Sequence, residues 1–174
     1  MTQLIKLRTK LPLTLLRDLP PDHASRPMDI INIRIESCRK TRRSNCIGTA
    51  LYIVGEIAKD EAVSIVDVYG LHLEQLCPIE YIFIGCLVAW QRDYSLDCIS
   101  YGKNIYVEHM GIVTGLGRNG DDSSILITNR FKTGGSFNEN QPLSELMKTY
   151  SNELVFYLPR IFNPSQIEQK YKLS

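Results

Sequence analysis

The sequence predicts an α+β domain in which N-terminal helices pack on an antiparallel β-sheet. Three observations carry that prediction. First, 174 residues with 44% hydrophobic and 22% charged side chains suit one core, which at this length buries roughly 70% of the unfolded surface. Second, Ile47, Ala50, Leu51, Val54 and Ile57 recur at helical spacing just after two residues able to cap a helix, Ser44 and Asn45. Third, after Pro78 the apolar residues fall in short runs typical of strands.

Taken in order, residues 1–27 hold Pro12, Pro20, Pro21 and Pro27 without periodicity and read as an irregular arm, leaving 28–174 as a single domain. Residues 28–40 place Ile30, Ile31, Ile33 and Ile35 close together, compatible with a helix or a strand, and a helix is the expectation. The helix that begins at Cys46 is the best-marked element, and a further helical piece is expected within 61–76. Strands are expected at 81–90, 105–115, 124–130 and 154–160, with a short helix over 141–150 opened by Pro142.

The charge balance hides a split. Residues 1–43 carry ten Lys/Arg against four Asp/Glu, and residues 44–174 ten against fifteen, so a net charge of +1 covers segments of +6 and −5. The densest run, Arg39-Lys40-Thr41-Arg42-Arg43, would favour an anionic partner, or else is a solvated face. No interleaved aromatics or nucleic-acid motif accompanies it, which argues against nucleic acid. The five cysteines form no C-x-x-C pair and stand near no histidine, excluding zinc-ribbon and thioredoxin-type sites. No signal peptide or membrane-length apolar run is visible. Reduced thiols in the cytoplasm are therefore the expectation, with export by a non-classical route left open. No metal or organic cofactor is implied.

Gly115-Leu-Gly-Arg-Asn-Gly120 matches G-x-G-x-x-G, yet the residues after it lead into a strand, Ile125-Leu-Ile-Thr, where a dinucleotide fingerprint needs a helix. Asn119-Gly120 instead marks a hairpin turn. A symmetric turn centred on Asn119 puts His109 directly opposite Asn129, within reach of an imidazole–carboxamide hydrogen bond. A strand histidine bonded for structural reasons would look the same. Cys46, in the first turn of its helix, meets N–H groups and a dipole that favour thiolate, whereas packing explains Cys38, Cys77, Cys86 and Cys98. Together Cys46, His109 and Asn129 supply a nucleophile, a base and an orienting amide.

Asn45-Cys46 with Gly48 after it, Gly85-Cys86-Leu-Val, His109-Met-Gly-Ile-Val and Ile-Leu-Ile-Thr-Asn129 resemble, in that order, the NlpC-type branch of the papain-like cysteine peptidases over 44–160. The resemblance implies a papain-like fold with a partly open barrel and a thiol hydrolase acting on a peptide or amide, peptidoglycan-type or other. It implies Cys46 as nucleophile, His109 as base, Asn129 as the third member, and an oxyanion held by the Cys46 N–H with help from the Asn45 side chain. Two departures stand out: Asn45 and Cys86 replace the family's usual aspartates, and 28–45 has no aromatic residue ahead of the nucleophile. The alternatives are a non-catalytic binding module of the same fold and an acyltransferase or transglutaminase-like variant using the same triad.

Overall fold

The computed structural model describes residues 14–16, 21–64, 68, 72–93, 105–117, 124–150 and 153–163. Helix α1 spans Pro21–Lys40. It starts well ahead of Met28, so residues 21–27, expected to be irregular, form its opening turns, and Pro27 is accommodated inside it. Ile31, Ile35 and Cys38 form its buried stripe, spaced by four and three, while Ile33 faces solvent at 69% exposure. Arg39 and Lys40 sit in its last turn, where cations complement the helix dipole.

Helix α2 spans Cys46–Ile53 and is capped by Asn45, whose side-chain oxygen accepts from the Gly48 N–H at 2.8 Å. It ends before Ile57 because Val54 is its C-cap and Gly55 follows with φ of 85°, a left-handed stop that favours glycine. Buried Ile47, Ala50, Leu51 and Ile53 seat it against the sheet, chiefly on the long strand β5. Of the helical piece expected within 61–76, Val68 is helical and Leu73–Gln75 forms a 3-10 turn, with 65–67 and 69–71 outside the described residues.

The strands are β1 (Thr14–Leu16), β2 (Cys77–Ile79), β3 (Tyr81–Phe83), β4 (Leu87–Asp93), β5 (Ile105–Leu116), β6 (Ile125–Arg130), β7 (Phe137–Pro142) and β8 (Leu154–Leu158). Six of them build an open antiparallel sheet in the order β2-β8-β4-β5-β6-β7, and β1 pairs in parallel with β3. The run expected as one strand over 81–90 is two, because the chain turns at Ile84-Gly85, where Gly85 has φ of 107°. Strand β7 is an element the apolar pattern does not reveal. Its sequence, FNENQP, is polar because it lies at the sheet's edge. Helix α3 (Leu143–Thr149) follows it and buries Leu143 and Leu146.

The central strands β4 and β5 are covered on both faces, so the core runs through Leu87, Val88, Trp90, Met110 and Ile112. Trp90 pairs with His109 but Gln91 with Val107, leaving Glu108 as the extra residue of a β-bulge beside His109. Among the described residues, no helix is long and apolar enough to cross a membrane, and no cluster of His, Cys, Asp and Glu could hold a metal ion.

Candidate active site

The expected direct opposition of His109 and Asn129 is not the register that forms. Gly111 stands across from Asn129, and Ile112 across from Thr128, a shift of two that keeps His109 and Asn129 on one face. The Asn119-Gly120 turn itself lies outside the described residues. His109 and Asn129 are thus diagonal neighbours, and their bond still forms, with Nε2 to Oδ1 at 3.3 Å. Gly111 makes room for it: a Cβ there would stand 2.5 Å from Ile127 Cγ2 and 3.4 Å from Asn129 Cβ. With no side chain directly opposite Asn129, the imidazole reaches across the diagonal.

Asn129 is fully buried, and its Nδ2 donates to Gln141 Oε1 at 3.2 Å. Gln141, on the edge strand β7, therefore fixes which way the carboxamide faces, turning Oδ1 toward His109. An Nε2–H that donates to Asn129 leaves Nδ1 as the basic nitrogen of the ring.

Aromatic rings enclose the imidazole. Tyr150, the residue that ends α3, lies almost parallel to it, with centroids 4.1 Å apart and planes 5° apart. Trp90 stands at 5.3 Å and Phe131 at 6.2 Å. His109 is consequently 1% exposed. That burial holds its pKa down at about 4, against a smaller opposing pull from Asn129. The Tyr150 hydroxyl is pushed up to about 12, first by burial and then by its electrostatic interaction with Cys46 and Glu108.

Cys46 opens α2 as expected, and its thiol lies against the backbone of Met110, one residue beyond His109 on β5. The expected lowering of its pKa is reversed. The N–H groups of Met110, Ile47 and Cys46 do act in the stabilising direction, but burial outweighs them and pushes the thiol up. Cys46 is free, and no hydrogen bond joins its Sγ to His109 in this state. Of the remaining cysteines, Cys38 and Cys86 are buried with pKa values pushed up to about 12, Cys77 is exposed, and Cys98 lies outside the described residues.

Asn45 has a role other than the oxyanion contact expected for its side chain. Besides capping Gly48, its Oδ1 accepts from Val63 N–H at 3.3 Å and its Nδ2 donates to Val63 carbonyl at 2.7 Å. The carboxamide thus clamps the segment after α2 onto the first turn of that helix. Gly48 completes this close approach, since a Cβ there would fall 1.7 Å from the Glu61 carbonyl oxygen.

Behind β6 lies a second buried cluster. Arg130, 1% exposed, donates from Nε to Thr49 Oγ1 at 2.9 Å and from Nη2 to the Cys38 carbonyl at 2.8 Å, and stands 3.7 Å from the Asp60 carboxylate. Asp60 also accepts from Thr41 and Thr49, and Thr49 shares a hydrogen bond with Ser44 at 2.6 Å. The network joins the end of α1, the start of α2 and β6, and so fixes the helix that carries Cys46 relative to the strand that carries Asn129.

Sequence spacing offered Cys46, His109 and Asn129. It missed Gln141, which belongs to a strand without an apolar pattern, and Tyr150, an aromatic just past a helix with nothing local to connect it to His109. Comparison with known protein families, curated proteins and solved structures finds no match to this chain.

Proposed function

We propose that the protein is a thiol hydrolase of papain-like, NlpC-type character that cleaves a peptide or amide through Cys46, His109 and Asn129. The observation that carries this reading is the oriented imidazole: His109 Nε2 is held by Asn129, itself held by Gln141, and the thiol that opens α2 lies against the backbone of Met110, the next residue of β5. Such a chain of positioned groups does for a thiol what the Ser-His-Asp arrangement does for a hydroxyl.

In the proposed cycle, Nδ1 of His109 takes the Cys46 proton as sulfur attacks the carbonyl carbon. The carbonyl oxygen becomes an oxyanion that accepts from the Cys46 N–H. The intermediate collapses, the C–N bond breaks, and the imidazolium returns its proton to the leaving amine. Water then attacks the thioester, giving the acid and restoring the thiol. Because burial keeps both thiol and imidazole neutral at rest, proton transfer accompanies attack and no ion pair is preformed.

The raised thiol and the covered imidazole also favour one alternative, a non-catalytic module of the same fold whose cleft binds a partner. A peptide p-nitrophenyl ester followed by intact-protein mass separates the two. A hydrolase forms an acyl adduct on Cys46 that decays in water, and Cys46→Ala forms none while keeping its fold. Absence of any adduct on Cys46, or wild-type hydrolysis by Cys46→Ala, contradicts the triad mechanism.

A further inference from the structure

The basic run at 39–43 has no part in the triad, and the structure gives it a different setting. A pocket of about 420 Å³ opens between the last turn of α1, the α1–α2 connection, and the loop from β6 to β7, with Arg39, Arg42, Arg130, Gly134, Ser136 and Phe137 in its lining. Three arginines from three separate segments meet there. Its size falls in the range of small-molecule pockets, about 300–1,000 Å³, larger than a bare ion needs.

The three cations stand differently toward a ligand. Arg39 is held in a fork by Glu139, the one lining carboxylate, with bonds of 2.6 and 2.7 Å, and by Glu36. Both oxygens of Glu139 are thereby occupied. Arg130 is locked from behind by Thr49, Cys38 and Asp60, and its Nη1 donates to the Gly135 carbonyl at 3.2 Å. Since Nη1 carries two hydrogens, one is left without a protein acceptor among the described residues. Arg42 is exposed and has no ion-pair partner among the described residues. Exposed Arg43 and Lys132 flank the same region and add to its positive field. The 131–136 loop turns tightly through Lys132 at φ of 54° and Gly134 at φ of 70°, so the wall facing Arg42 is backbone.

We propose that this pocket binds a small molecule through an oxyanion group, phosphate or carboxylate. Arg42 is the cation that closes on it, Arg130 a fixed donor at its floor, Ser136 a hydroxyl donor, and Phe137 the apolar wall for the rest of the ligand. The site is independent of the thiol, so ligand binding here survives Cys46→Ala.

Amide chemical shifts of Gly134, Gly135 and Ser136, followed in the full chain during titration with inorganic phosphate and separately with citrate at constant ionic strength, test the proposal. Saturable shifts with phosphate alone assign a phosphate ligand, and with citrate alone a carboxylate ligand. Arg42→Ala, at an exposed position that leaves folding unaffected, weakens the binding by about tenfold, the worth of one charged hydrogen bond. Arg26→Ala, about 20 Å back along α1, leaves it unchanged. No saturable shift with either anion, or equal binding by Arg42→Ala, overturns the proposal.

Discussion

Asn129 and Arg130 are consecutive residues of β6, both buried, and they face opposite electrostatic surroundings. On the Asn129 side the neighbours are rings and amides, and burial drives the titratable groups to their neutral forms: His109 down to about 4, Tyr150 up to about 12, Cys46 upward. On the Arg130 side a guanidinium is buried whole, with the Asp60 carboxylate 3.7 Å away and Thr49, Cys38 and Gly135 taking its hydrogens. The comparison teaches that one strand can bury polar groups in two ways, as neutral titratable side chains among rings and as an arginine whose hydrogen bonds and counter-ion are buried with it.

Removing a partner on the charged side should therefore cost most. Arg130→Ala leaves Asp60 buried without its counter-ion, and urea denaturation should show a loss of about 3–5 kcal/mol. The titration of His109, read by NMR, should stay low in the folded variant. A parallel rise in the His109 pKa would mean that the two sides are not separate environments.

Acid should act through the neutral side. His109 binds its proton near 6.5 when unfolded but at about 4 when folded. Between those values the unfolded chain carries more protons, so stability falls as pH drops from 6.5 to 4, by about 3 kcal/mol from this group. Denaturation of His109→Gln over the same range should lack that contribution. An unchanged slope would place the acid sensitivity elsewhere.

A smaller cost is expected at Gly111. A methyl group there meets Ile127 and should cost about 1–3 kcal/mol by overpacking. It should also loosen the diagonal reach of His109, visible as a changed Nε2 nitrogen shift. The smallest effect belongs to Gln141→Ala, which removes one partner of the Asn129 amide for about 1 kcal/mol. If Gln141 matters only to stability, hydrolysis by that variant stays at the wild-type rate; the oriented triad predicts a decrease.

The contrast between the two sides also explains what the sequence made legible. Helix α2 was readable because capping is local chemistry, and Asn45 does cap Gly48. The shared face of His109 and Asn129 was readable because strand side chains alternate with a period of two, which a two-residue shift preserves. The register was not, since it depends on the hairpin's turn and on the bulge between Val113 and Gly115. Strand β7 was hidden because an edge strand needs no apolar residues, and with it went Gln141. The thiol's direction of shift is not legible in sequence, because a first-turn position is visible there while burial against Met110 is tertiary. Arg39–Arg43 showed its charge, but its meeting with Arg130 joins residues separated by the whole of α2, β4 and β5.

The central claim is that Cys46 and His109 act together, and alkylation rates measured at each cysteine by mass spectrometry test it without a known substrate. In the wild type, exposed Cys77 should react with iodoacetamide faster than Cys46, whose thiol is held neutral. Tyr150→Ala uncovers the imidazole and should accelerate Cys46 alone, and adding His109→Ala should abolish that acceleration. If Cys46 in Tyr150→Ala reacts at the same rate with or without His109, the two residues do not form a catalytic pair.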